Sequence, residues 1–243
     1  MQAPRPTRRS TKRHRTGSIL DLARFRGHDT RTDLPTPELA TLISILPPGR
    51  ALDLGCGHGT EALFLASCGW SVVGVDRDRA AIDIAEKRRR QLDLPRGTAR
   101  FEARNALEYR ERSPGTFDLV IERLLYVNLF PEGPWDRRTA EEYRRDRRRL
   151  IVTAAHALRS GAQLLLRLRP HGPTWRTIAP ADSLLTADDR RLLHRYFEPD
   201  WREIPFSGLA TPVVDTSDGP LLQAVPLDLT LAVLTRSDRA FLR

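Results

Sequence analysis

Cysteine is nearly missing from this 243-residue chain: Cys56 and Cys68 are the only two, and they stand apart without metal-ligand spacing. That excludes a disulfide scaffold and a thiolate zinc centre, and makes a reducing cytoplasm the expected setting. Methionine occurs once, as Met1, and aromatic residues make up 7% of the chain. This is too few for a platform on which single-stranded bases stack. No run of about 18 apolar residues is present, so no segment is expected to span a membrane. Lysine occurs only at Lys12 and Lys87, which leaves arginine to carry nearly all the positive charge.

The formal net charge of +9 is concentrated at one end. Arg5, Arg8, Arg9, Lys12, Arg13 and Arg15 lie in residues 1–16 with no acid among them and account for six of the nine charges. The rest of the chain reads as a solvated surface of modest excess charge, although the fork of arginine also suits phosphate, so RNA stays open as a partner of the tail. Residues 1–33, polar and basic with Pro4 and Pro6, read as a disordered tail. The Arg8-Arg9 pair is not followed by an apolar run, as a twin-arginine signal requires; an arginine-rich, acid-poor transit peptide is the other reading. Residues 34–243 have the length of one α/β domain, and neither an internal repeat nor a second glycine-rich motif divides them.

What is present is a patterned alternation. Apolar strands are expected near 50–54, 71–75, 99–103, 117–121 and 163–168, with helices near 59–68, 78–92, 137–158 and 186–197. A helix over Thr36 to Ile45 places Leu39, Leu42, Ile43 and Leu46 on one face. Two further strands, near 201–205 and 227–234, would form a closing hairpin, with a loop or flap over 206–226. The fold class is therefore a doubly wound, mostly parallel α/β sheet of seven strands with helices on both faces.

The first strand runs as Ala51-Leu52-Asp53-Leu54 into Gly55-Cys56-Gly57-His58-Gly59-Thr60, and the second, Val72-Val73-Gly74-Val75, ends on Asp76. Glycines at such a turn admit positive φ and let a ligand approach the backbone. A carboxylate at the end of the second strand is placed to accept hydrogen bonds from ribose hydroxyls. The dinucleotide fingerprint asks for Gly or Ala where Thr60 stands, and it has no use for an acid inside the strand at Asp53.

On these residues the chain resembles the class I S-adenosylmethionine-dependent methyltransferases, whose first motif is an acid-containing strand followed by G-x-G-x-G. Phe101 to Ala106 resembles that family's third strand and adenine-contacting turn, with Asn105 where Asp is usual. Thr116 to Ile121 resembles the fourth strand, and Leu158 to Ala162 the turn into the fifth, with Ser160 and Ala162 departing from the commoner Pro and Gly. The likeness extends from about residue 36 to 168. It implies S-adenosylmethionine as cofactor, S-adenosylhomocysteine as product, a cofactor half near 34–130 and an acceptor half near 131–243.

Residue by residue, the resemblance implies that Gly55, Gly57 and Gly59 meet the methionine end of the donor, with Asp53 orienting that turn or else capping local amides. Asp76 would bind the ribose, or else cap the next helix. Arg77 would stack beside the adenine, or else sit on the surface. Asn105 and Ala106 would meet the adenine edge, or else simply shape a turn. Just past the fourth strand, Glu122 is the candidate for a base or an ammonium contact, Arg123 for a cation that orients the acceptor, and Tyr126 for a wall or hydrogen-bond donor. The competing reading pairs Glu122 with Arg123, or has them cap the following helix. The Glu122-Arg123 pair, together with Gly69 to Asp76, is similar to the thiopurine and tellurite-resistance branch.

Several acceptors are excluded on the same ground. Amino-methylating enzymes of DNA bases carry an Asp or Asn, two prolines and an aromatic where this chain has Ile121-Glu122-Arg123-Leu124. Cytosine-ring methylation needs a cysteine after the fourth strand, and both cysteines lie upstream. Metal-dependent catechol-type chemistry needs clustered acids there, and no metal is expected. What remains is transfer to oxygen, nitrogen or sulfur of a small molecule, with an RNA methyltransferase or a non-catalytic donor-binding partner subunit as alternatives. Oligomeric state leaves no mark in the sequence.

Overall fold

In the computed structural model the described residues are 35, 37–92, 94, 97–110, 113–123, 125–126, 129, 137–167, 186–198, 202–206, 215–216, 219–220 and 229–237. The basic tail, His171, Trp175 and Arg176 after the fifth strand, and most of the expected flap lie outside them.

The element order is α1 (Pro37–Ile45), β1 (Arg50–Leu54), α2 (Thr60–Ser67), β2 (Ser71–Asp76), α3 (Arg79–Gln91), β3 (Thr98–Ala103), β4 (Phe117–Glu122), α4 (Ala140–Ala157), β5 (Leu158–Arg167), α5 (Ala187–Tyr196), β6 (Arg202–Phe206), β7 (Asp215–Thr216), β8 (Gly219–Pro220) and β9 (Leu229–Thr235). One sheet runs β3-β2-β1-β4-β5-β9-β6, and β7 and β8 pair separately. β1 to β5 are parallel, while β9 is antiparallel to both β5 and β6. The chain reverses its direction of travel across the sheet between β1 and β4, which opens a crevice at the carboxyl ends of those two strands.

Near-continuous apolar runs form the inner strands because both faces are covered. Leu52, Leu54, Val73, Val75, Val120, Leu164 and Leu166 pack with α4 and α5 on one face. Ala51, Val72, Leu119, Ile121 and Leu165 pack with α1 and α2 on the other. Helix starts are set locally. The Asp78 carboxylate accepts from the Ala80 and Ala81 amides at the head of α3, and Thr139 with Glu142 forms a capping box at the head of α4. At the far side, the buried Arg236 donates to Ala155 O (2.8 Å) and Tyr196 O (2.6 Å). A cation thus sits on the carbonyl ends of α4 and α5, where both helix dipoles favour it.

One expected boundary is corrected. The sequence pattern placed a turn at Ser160-Gly161 and a strand from about 163, whereas α4 passes into β5 directly at Leu158. Leu158 already pairs with Phe117, and the register shifts before Leu119 meets Gln163. Gly161, at φ +73°, absorbs that irregularity, so the strand bulges where a turn was expected.

Candidate functional site

The crevice is floored by the turn joining β1 to α2. Val75 O accepts from the amides of Gly55 (2.8 Å) and Cys56 (3.0 Å), which ties the turn to the end of β2, and Gly59 N–H closes it onto Cys56 O (2.9 Å). Gly55, Gly57 and Gly59 all have left-handed φ, at +77°, +50° and +78°. Two of them differ in what a side chain would meet. A Cβ on Gly59 would lie 2.7 Å from Phe101 Cζ, so this glycine serves packing; a Cβ on Gly57 would meet nothing within 4 Å. The backbone at Gly57 therefore faces open space, as close approach of a ligand requires. Gly59 is also the N-cap of α2 and supplies no capping side chain; in that first turn the Ala62 amide donates to the Asp53 carboxyl.

Asp76 does more than end β2. Its Oδ2 accepts from Gly57 N (2.9 Å) and its Oδ1 from Asp78 N (2.9 Å). The capping of α3 falls to Asp78, so that alternative reading of Asp76 is set aside. Each carboxylate oxygen keeps a second lone pair. Arg77 is exposed beside it. Asn105 Oδ1 accepts from Leu107 N (3.1 Å) and caps a 3-10 turn over Ala106–Glu108. The Asn105 carbonyl is thus engaged in shaping the turn, while Ala106 is buried beneath it.

Between β1, α2 and β4 lies a group of buried carboxyls. Asp53, Glu61 and Glu122 are 2%, 4% and 2% exposed. Arg123 reaches Glu61 at 3.3 Å, so it pairs across to α2. Glu122 Oε1 accepts from Tyr126 N (2.9 Å). Asp53 Oδ2 is buried with no hydrogen-bond partner among the described residues. Burial holds the Asp53 carboxyl well above the usual aspartate range, with repulsion from Glu61 adding to it and Arg123 opposing. Glu61 escaped the sequence reading because an acid in the first turn of a helix is an ordinary residue there; only its burial sets it apart.

Tyr126 is a correction. Its ring is fully buried and its hydroxyl donates to Asp189 Oδ2 (2.9 Å) on α5. Asp189 also takes Arg147 Nε (2.9 Å), and Arg147 Nη1 donates to Leu129 O (2.9 Å). The hydroxyl is thus spent inside a buried network between α4, α5 and the segment after β4, and does not line the crevice. Cys56 is buried in the glycine turn, and burial pushes its thiol up, which disfavours the thiolate. His58 is exposed. Among the described residues no cluster of side chains suits a metal ion, and no helix is long and apolar enough to cross a membrane.

Residues 51–147 match the family model described as a methyltransferase domain. A ubiquinone biosynthesis O-methyltransferase from Burkholderia ambifaria is 37% identical over 71 residues, 29% of this chain and 29% of that protein. The chain therefore aligns with less than a third of the length of this curated relative. A solved SAM-dependent methyltransferase from Methanosarcina mazei superposes with a TM-score of 0.53 at 21% identity, covering 84% of this chain and 98% of the other. TehB from Haemophilus influenzae gives 0.54 at 13% identity, covering 85% and 64%. At such identities these likenesses are of fold, and the fold is that of the class I methyltransferases.

Proposed function

We propose that this chain, whose residues 51–147 are a methyltransferase domain on the class I fold, binds S-adenosylmethionine in the β1–β4 crevice and methylates oxygen, nitrogen or sulfur of a small molecule. The observation that carries the reading is the Asp53 carboxyl, buried with an unused oxygen beside a turn that is open at Gly57. The Asp53 oxygen, buried beside the acids Glu61 and Glu122, is a place that a cationic group would relieve. An aminoacyl ligand fits both features, since its ammonium suits the acids and its carboxylate suits the positive end of α2, where Gly59 provides no capping side chain.

In this reading Gly55, Gly57 and Gly59 shape the floor, Asp53 and Glu122 face the ammonium, Asp76 takes the ribose hydroxyls with its remaining lone pairs, and Asn105, Ala106 and Arg77 border the adenine. When bound, the cofactor supplies an electrophilic sulfonium methyl. The chain's part is to hold the acceptor in line behind it and to exclude water. The other role for Glu122, whose Oε1 accepts from the Tyr126 amide, is as the base that takes a proton from an acceptor that must lose one. Arg123 is engaged by Glu61 and steadies the acid pocket from the acceptor side.

A small-molecule acceptor is supported by the kind of relative matched over 71 residues. A second reading rests on the acid-free basic tail of residues 1–16, which suits RNA as an electrostatic arm. Cys56 and Cys68 are both free thiols, in keeping with a reducing cytoplasm. Incubation with methyl-labelled donor and a panel of phenols, amines, thiols and RNA tests the reading. Label in a small molecule supports it, and label in RNA alone supports the second. Donor binding without transfer to any acceptor in the panel would favour a non-catalytic partner subunit.

A further inference from the structure

The run Lys87-Arg88-Arg89-Arg90 at the end of α3 reads in the sequence as a solvated charge cluster that complements the helix dipole. The structure divides it. Arg89 stays on its own helix and pairs with Glu86 at 2.9 Å. Arg88 leaves the helix and donates from Nη1 to His58 O (3.0 Å) in the glycine turn and to Thr60 Oγ1 (3.0 Å) in the first turn of α2.

We infer that Arg88 is a positioning residue of the cofactor site: it fixes the His58–Gly59 peptide and so sets how the glycine turn presents its amides. This rests on the reading of the crevice as a donor site. The peptide in question is held at both ends, since its N–H, that of Gly59, donates to Cys56 O (2.9 Å) while its C=O, that of His58, accepts from Arg88. Gly59 on one side of that peptide, with Gly57 just before His58, leaves this stretch of backbone freer to rotate than one of L side chains. A turn with three left-handed glycines keeps one shape only if something outside it removes that freedom. Asp76 does so from the β2 side through Gly57 N, and Arg88 does so from the α3 side.

Helix stability does not account for the contact. A cation at the amino end of α2 opposes the helix dipole, and an acidic or hydroxyl cap would suit that end better. The guanidinium does suit two oxygens set at a corner, one a carbonyl and one a hydroxyl, which a lysine ammonium meets with less directional hold.

The test compares the wild type with Arg88→Ala, Arg88→Lys and Arg89→Ala in calorimetric titrations with S-adenosylhomocysteine, alongside urea unfolding of each. Arg88→Ala should bind about tenfold more weakly, the loss of a charge-assisted hydrogen bond. Arg88→Lys should regain part of that, and Arg89→Ala should bind as the wild type does. The urea midpoints of the two alanine variants should fall together, so the difference in affinity is not a difference in folding. Unchanged binding by Arg88→Ala, or an equal loss in Arg89→Ala, overturns the inference while leaving the donor site in place. Failure of the folded wild type to bind at all overturns the donor reading and this inference with it.

Discussion

Asp53 sits in a sequence position where an apolar residue is the ordinary strand choice, and the structure shows what that choice costs: a fully buried carboxyl with an unused oxygen. Its pKa in the folded chain is raised, first by burial, so the sign follows. The Asp53 contribution to the stability of the ligand-free protein is fully present below the unfolded value of about 3.9 and is lost as the pH climbs through the folded value. Asp53→Asn should therefore melt higher than the wild type at neutral pH, by about 2–4 °C for each kcal/mol of burial cost relieved, and the gap should close toward pH 4. The same variant should bind S-adenosylhomocysteine more weakly, a trade of function against stability; scanning calorimetry and titration on one preparation check both. Asp76→Ala removes the acceptor of Gly57 N as well as the proposed ribose contact, so it should cost about 1.5–3 kcal/mol of that affinity. Unchanged binding would remove Asp76 from the site. Both acids were legible in the sequence because each is fixed by its place at or near the end of a strand. Glu61 and Arg88 were not, and Arg123 was singled out without its partner, because these contacts run far along the chain: Glu61 and Arg123 meet across 62 positions, and Arg88 meets His58 across 30.

At the scale of elements, the glycine turn offers a separation of binding from folding. Gly57→Ala has room for its Cβ and should fold with a loss of about 1 kcal/mol from the left-handed backbone, yet bind S-adenosylhomocysteine poorly. Gly59→Ala meets Phe101 as well as the backbone strain and should lose stability first. Equal stabilities for the two in urea would contradict this division of labour. The buried link from the post-β4 segment to α4 and α5 gives a second contrast. Tyr126→Phe keeps the Arg147–Asp189 pair and should destabilise by about 1.5–3 kcal/mol, whereas Asp189→Ala breaks that buried ion pair and should cost about 3–5 kcal/mol. The order of strands and helices was legible from periodicity, and so was the closing β6–β9 pair. Two things were not. The early start of β5 depends on Gly161 absorbing a bulge, and Ser160-Gly161 in a sequence looks the same whether a strand kinks or a helix turns. The direction of the Tyr126 hydroxyl depends on Asp189, 63 residues later, and no local pattern near Tyr126 carries that information.

For the whole molecule, the sheet order places the carboxyl ends of β1 and β4 beside each other at the reversal point, and the proposed site runs from there along the carboxyl ends of β2 and β3 through Asp76 and Asn105. Charge has a different distribution: six of the nine net positive charges lie in residues 1–16, away from the motifs. If the tail is an arm for RNA, full-length protein should lose RNA affinity with salt more steeply than a chain lacking residues 1–16; equal slopes would remove RNA from the account. The central claim is that the crevice takes an S-adenosyl amino acid, and titration calorimetry of the folded chain with S-adenosylhomocysteine, using a nicotinamide dinucleotide as control, tests it most directly. The account predicts micromolar binding of the former, none of the latter, and weaker binding in Asp53→Asn. No heat from S-adenosylhomocysteine, or binding of the dinucleotide in its place, would contradict it.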